Sequence, residues 1–406
     1  MESGLAFGGE FTPIFHGIDR IREEPAVPID NHPEMSEAQA ALMGLARDFA
    51  QSRLAPGAAE RDRSGAFPAD LYKEAAEHGL LGVNLPERLG GGGLGMLEAA
   101  LVFEQFARVD GSFSLTAAAS AGLTAGHLHR ACDDAQAERW IPPLLRGELG
   151  AWALTEPGSG SDAAALRCRA ERRGDGYTID GAKMFITQGS VFSVMVLMAR
   201  TGEGKGGISA FVIEASDAGR ESRPIHGKLG MRSSDTAEIV FQGCEIPGGR
   251  LLGAEGEGFS QAVATLVEGR IGVGALCCGL GQGALDAALA YAHEREAFGR
   301  SIGEFGGIRE QLADSAIGLA AGRELVTRAA RLLDSGEDAA DSAARAKLFA
   351  SEAALRSCDQ SIQIHGGYGY TDEIPAHRFW RDARLLTIGE GTSEILRGVI
   401  ARSVFA

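Results

Sequence analysis

The sequence predicts a mostly α-helical protein with a central β domain. Apolar residues recur at helical spacing in the first and last parts of the chain, and the segment between them switches to short β-rich runs. The 406 residues are also too many for one ordinary hydrophobic core. Two or three packed units with a common cleft follow, and such clefts are where cofactors bind.

Residues 1–33 have no sustained period and read as an N-terminal arm, either loosely ordered or packed on a partner subunit. A helical domain is expected over 34–150, where EAQAALMGLARDFAQSRLAP and LEAALVFEQFARV carry the helical period. Pro56, Pro68, the run Gly90 to Gly93 and the pair Pro142-Pro143 punctuate it. A β domain is expected over 151–255: GYTIDGAKMFIT holds two short runs joined by Asp180-Gly181, a dipeptide suited to a tight hairpin, and VFSVMVLMA, ISAFVIEA and AEIVFQGCEI follow. The helical period returns over 256–406 in three long amphipathic segments, beginning at Gly283, Arg309 and Ser342, whose length suggests a bundle.

Composition narrows the function. Hydrophobic residues make up 45% and charged residues 23%, the balance of a soluble globular protein, and no apolar run is read as long enough to span a bilayer. A formal net charge of -16 disfavours nucleic acid, whose binding needs a basic surface. The six cysteines show no metal-type spacing and read as reduced thiols, and no metal site is expected. The N-terminus lacks the basic start and apolar core of a signal peptide and carries acidic residues unlike a transit peptide, so a cytoplasmic location is the expectation.

Three segments hold residues suited to chemistry. In AWALTEPGSGSD, Ala151 to Asp162, Gly158 and Gly160 let the backbone approach a ligand, while Thr155, Ser159 and Ser161 can donate to its oxygens; a plain Gly/Ser turn is the alternative. In KMFITQGS, Phe185 and Thr187 are two apart and therefore on one strand face, an aromatic ring and a hydroxyl that suit a planar ligand or simply a half-buried strand. In LLTIGEGTSEI, Glu390 stands between two glycines before a helix start with Thr392 or Ser393 as cap. Its carboxylate can reach a ligand and, if partly buried, act as a general base; a helix-start glutamate favourable to the dipole is the other reading.

Together, from about Glu37 to Ala406, these segments resemble the acyl-CoA dehydrogenase family. AWALTEPGSGSD is similar to the family's ALTEP-x-x-GSD flavin loop, and KMFITQGS to its K-x-[WF]-I-T-N-[GA] strand, with Gln188 in place of Asn. KLGMRSSDTAEIVFQGCEIP resembles the stretch that closes the family's β domain, REAFG its R-x-x-FG motif, QIHGGYGY its QI-x-GG-x-G-[YF] motif, and IGEGTSE its YEGTS motif. The resemblance implies an N-terminal helical domain, a middle β domain and a C-terminal four-helix bundle. It implies FAD held by Trp152, Leu154, Thr155, Ser161, Phe185, Ile186, Thr187, Thr392 and Glu394, with Arg295 and Phe298 reaching the FAD of a neighbouring subunit and Gln363, Gly366 and Gly367 at the adenosine end. Such shared sites imply a homo-oligomer, usually a tetramer.

The resemblance also implies a reaction. Glu390 is the catalytic base, since the alternative position used by some relatives is Gly269 here. Ser161, Arg270, Gly389 and Gly391 are the implied substrate contacts, Arg270 steadying the pantetheine arm. The expected chemistry is removal of the α proton of an acyl-CoA by Glu390 with transfer of the β hydride to flavin N5, giving the trans-2-enoyl thioester, with an electron-transferring flavoprotein as acceptor. Gly389, where Tyr is frequent, and the small residues of SFSLTAAASAG agree with a branched or bulky acyl group, and Gly306 stands where the family usually has an FAD-bonding Gln. An acyl-CoA oxidase, an acyl-carrier-protein dehydrogenase and a non-catalytic flavoprotein of the same fold are the alternatives.

Overall fold

The computed structural model describes residues 35–405, so the arm expected over 1–33 lies outside the described residues. The helical spacing after Glu37 gives α1 (Glu37–Phe49), opened by a capping box: the Ser36 hydroxyl accepts from the Gln39 N–H, and the Gln39 side chain accepts from the Ser36 N–H. A π-helical turn, Ala50–Leu54, prolongs it before α2 (Ala58–Ser64) and α3 (Ala69–Glu77). α4 (Met96–Ala107) is buried continuously from Ala99 onward, which makes it the centre of this part. α5 (Gly111–Ala117) passes through a second π-helical stretch, Ala118–Thr124, into α6 (Ala125–Ala131).

α7 (Asp134–Leu145) corrects one expectation, because Pro142 and Pro143 lie inside it rather than ending it. The carbonyls deprived of a partner N–H belong to Glu138 and Arg139, both exposed and within reach of water.

The β domain is an eight-stranded sheet built from β1 (Gly150–Ala153), β2 (Arg169–Arg173), β3 (Gly176–Thr187), β4 (Val194–Arg200), β5 (Ile208–Glu214), β6 (Arg220–Pro224), β7 (Thr236–Pro247) and β8 (Leu251–Leu252). Its order is β6-β7-β3-β2-β4-β5-β8, with β1 parallel to β4. β4 and β5 read as unbroken apolar runs because both their faces are covered. Val194, Val196 and Met198 face a core shared with Leu128, Trp140 and Leu144 of the helices, while Met195 and Leu197 face one shared with Ile179 and Phe241.

Asp180-Gly181 is not a hairpin. β3 runs through it unbroken, and its pairing with β7 shifts register there, between Ile179 and Gly181. Gly181, at φ 138°, is held by close approach: a Cβ would sit 2.7 Å from the Cys168 Cα. The hairpin turn is Gly174-Asp175, between the paired Arg173 and Gly176. A second shift, between Lys183 and Ile186, interrupts the alternation just where Phe185 takes φ 59°.

Past the sheet come α8 (Gly258–Glu294), a short hairpin of β9 (Glu296–Ala297) and β10 (Arg300–Ser301), α9 (Gly306–Asp334), α10 (Ala340–His365), α11 (Ala376–Leu386) and α12 (Ser393–Phe405). α8 packs against α4, α9, α10 and α11, and its glycines permit close contact: a Cβ on Gly279 would lie 2.2 Å from the Glu104 carbonyl oxygen. A buried Arg323–Glu104 pair (2.6 Å), with Gln282 accepting from the same guanidinium, ties α9, α4 and α8 together. By length and composition α8 is apolar enough to cross a membrane, contrary to the expectation that no such run exists. Its apolar character has a packing reason, since it is the central helix of the C-terminal domain and its residues from Arg270 to Leu285 are buried.

Candidate active site

The loop between α11 and α12 places Glu390 over the N-terminal half of α8. Glu390 has φ 56° and the next residue, Gly391, φ 96°; a non-glycine residue in that left-handed region carries a cost and persists only where its surroundings fix it. Two buried cations do the fixing. Arg270 of α8 lies below the loop, its Nε 3.4 Å from the Glu390 carbonyl, and Lys347 of α10 donates to the Gly391 carbonyl at 2.7 Å. Thr392 caps α12 by accepting from the Ile395 N–H, and Glu394 occupies the exposed first turn.

The Glu390 carboxylate points inward. Its Oε2 is sealed and has no hydrogen-bond partner among the described residues, and a Cβ on Gly269 would come within 2.8 Å of it and within 2.6 Å of Leu123. Burial raises the Glu390 pKa above the ordinary carboxylate value, with Arg270 and then Lys347 pulling against that rise. The Glu390 backbone N–H is also without a partner among the described residues. An orphaned carboxylate oxygen beside an unused N–H is a pairing that a ligand carbonyl and an adjacent C–H would complete.

The same stretch of α8 reaches the β1 loop. Trp152 donates to Nδ1 of the buried His127, which also meets Thr265 of α8 (2.9 Å); burial lowers the His127 pKa to about 4, so the ring is neutral. Past Trp152, the loop from Leu154 to Ser161 is braced from beneath. Lys183, fully buried, donates to the Leu154 carbonyl and pairs with Glu156 at 2.8 Å, while Glu156 also accepts from the Arg167 and Cys168 N–H groups. The Met184 N–H donates to the Thr155 carbonyl, joining this loop to β3. The hydroxyls of Thr155, Ser161 and Thr187 make no hydrogen bond among the described residues, and the Phe185 ring is 65% exposed. Leu154 and Ile186, by contrast, turn their side chains into the core and have only main chain to offer a ligand.

Other residues singled out in the sequence lie elsewhere. Arg295, Gly366 and Gly367 meet in a cleft of about 500 Å³ at the far end of α8, with Tyr291, His365 and Glu373; the exposed Gln363 is not in its lining. Phe298 tips the adjoining hairpin with Gly299, both at positive φ, and is 96% exposed. From Arg270 to Tyr291 the helix rises about 30 Å at 1.5 Å per residue.

The sequence matches three families end to end: Acyl-CoA dehydrogenase, N-terminal domain, over residues 36–148; middle domain over 151–244; and C-terminal domain over 256–405. The chain belongs to the acyl-CoA dehydrogenase family. Among relatives, the mitochondrial short-chain specific acyl-CoA dehydrogenase of Mus musculus is 40% identical over 91% of this chain and 90% of its own. The CarC subunit of the caffeyl-CoA reductase-Etf complex of Acetobacterium woodii is 38% identical over 90% of this chain and 98% of its own. The butyryl-CoA dehydrogenase structure from Megasphaera elsdenii superimposes with TM-score 0.90 at 35% identity, covering 92% of this chain and 99% of that one.

Acyl-CoA dehydrogenases are FAD-dependent, and the residues present fit a flavin: unused hydroxyls on a braced loop, an exposed aromatic on β3, and an orphaned carboxylate in the loop between α11 and α12. Reasoning from sequence missed Lys347, Lys183, Glu156 and His127. The signal for Lys347 was present, a lone lysine on the alanine-rich face of a helix (AARAKLFAS), where a cation must have a partner. Arg270 was singled out for a substrate arm, and its observed contact is with the Glu390 loop.

Proposed function

We propose that this acyl-CoA dehydrogenase oxidises an acyl-CoA thioester to the trans-2-enoyl-CoA with Glu390 as the base. The observation that carries this reading is the sealed, unpartnered Glu390 Oε2 beside an unused Glu390 N–H. The N–H is suited to donate to the thioester carbonyl, which acidifies the α carbon, and the carboxylate takes the α proton. Bound FAD, held by Thr155, Ser161, Phe185 and Thr187, supplies the acceptor for the β hydride. Burial of the carboxylate keeps water from it and sharpens the local electrostatics.

The acyl group we propose is branched or otherwise wide at its reacting end. A Cβ on Gly389 would have as its nearest neighbour the Leu385 carbonyl at 3.9 Å, so the space a larger residue would fill is open. For the electron acceptor we propose an electron-transferring flavoprotein, in line with the Etf complex in the name of the CarC relative. We further propose that the cleft holding Arg295, Gly366 and Gly367, about 30 Å along α8 from Arg270, serves the cofactor of a second copy in a homo-oligomer, as the resemblance of REAFG to the family's R-x-x-FG motif implies.

The test is an anaerobic titration of the purified protein with straight, branched and aromatic acyl-CoAs, followed at the flavin absorbance band. Bleaching by branched acyl-CoAs at the lowest concentration is the expected result; a flavin that none of them bleaches contradicts the reading.

A further inference from the structure

Lys347 stands out among the buried cations. It has no exposed surface, it lies on α10 among Ala343, Ala344, Ala346 and Ala350, and no carboxylate forms an ion pair with it among the described residues. Its hydrogen bond goes to the carbonyl of Gly391, at 2.7 Å, immediately after Glu390. Burying an ammonium without a paired carboxylate is costly, so a fold that keeps one there gains something from its position.

We propose that Lys347 is the positioning residue for Glu390: its ammonium holds the Gly389–Gly391 loop in its left-handed turn and supplies the second positive charge beside the carboxylate. The proposal rests on the reading of Glu390 as the base. Arg270 and Lys347 approach the loop from two different helices and bond successive carbonyls, those of Glu390 and Gly391. Together they pin a backbone conformation that a non-glycine residue does not hold by itself. The groups facing Lys347 are Glu390, Arg270 and Cys277, with Glu352 on its own helix; burial brings its pKa down to about 8, so it is largely charged near neutral pH. A positive charge there favours the ionised carboxylate and offsets part of the rise that burial imposes on Glu390.

The role separates from simple packing through the titration of Glu390. In the purified flavoprotein the Glu390 carboxyl is followed by its carboxylic-acid infrared band, identified as the one that Glu390→Gln removes. Lys347→Met, which keeps the apolar stem and removes the charge, should move the midpoint up by about one pH unit, a tenfold change in ionisation at fixed pH. The acid limb of the rate of flavin reduction should move by the same amount, with FAD content retained. Lys347→Gln, which keeps a donor near the Gly391 carbonyl, replaces it if the methionine variant does not accumulate, and the same rise is expected. An unchanged midpoint in either folded, FAD-loaded variant overturns the proposal. The infrared titration needs no turnover, so a protein that no acyl-CoA reduces would sink the proposed reaction and leave Lys347 to be judged on the midpoint alone.

Discussion

Glu390 was legible in the sequence as a carboxylate between two glycines, and the structure explains why both neighbours are glycine. Gly391 is in the left-handed region at φ 96°, and a Cβ on Gly389 would meet nothing nearer than the Leu385 carbonyl at 3.9 Å, which leaves the space beside that residue open. Its strain was not legible, because that depends on Arg270 and Lys347, 120 and 43 residues away in the chain (390 − 270 and 390 − 347). Two predictions belong to this scale. Because the base must be ionised and burial raises its pKa, kcat/KM should fall toward acid through a midpoint above the ordinary glutamate value, a limb that a pH–rate profile would show. Gly389→Tyr should lower kcat/KM for branched acyl-CoAs by about 10- to 200-fold more than for straight ones, since the ring fills the space that width requires. An unchanged preference across the acyl-CoA series would remove the case for a wide pocket.

At the scale of elements, period and composition located α1, α4, β4, β5 and the three long C-terminal helices, because each buries a face or a whole surface against a partner. They failed where backbone approach decided the outcome. Asp180-Gly181 has the composition of a turn, yet the glycine is there because Cys168 passes over it. Helical period gives no sign that Gly279 of α8 lies against the Glu104 main chain, where a Cβ would come within 2.2 Å of the carbonyl oxygen. Gly279→Ala should therefore cost about 1–3 kcal/mol of stability by overpacking, measurable as a lower midpoint in urea. Lys183→Met should be more damaging, at about 3–5 kcal/mol, because Glu156 is left as a buried carboxylate without its cation. That variant should also lose FAD on gel filtration, since the pair braces the loop carrying Thr155 and Ser161.

For the whole molecule, the sequence indicated two helical parts around a sheet, and the arrangement that joins them is a single long helix. α8 runs from the Glu390 loop, past α4 and α9, to the cleft at Tyr291 and Arg295, so residues called together by one cofactor motif set are divided between its two ends. That division agrees with the family resemblance, which implies that Arg295 and Phe298 reach the FAD of a neighbouring subunit. It predicts that light scattering will give a mass that is a multiple of the single chain. It further predicts that Phe298→Asp, at an exposed hairpin tip, will lower FAD retention without lowering the thermal stability of the chain by more than about 0.5 kcal/mol.

The central claim is that Glu390 removes the α proton. It is tested most directly by mixing the acyl-CoA that best bleaches the parent protein with Glu390→Gln under anaerobic conditions and timing the loss of flavin absorbance. The account predicts FAD content equal to the parent and reduction slower by at least about 100- to 10,000-fold, the share of a proton-transfer group. Reduction at close to the parent rate would contradict it and place the base on another residue.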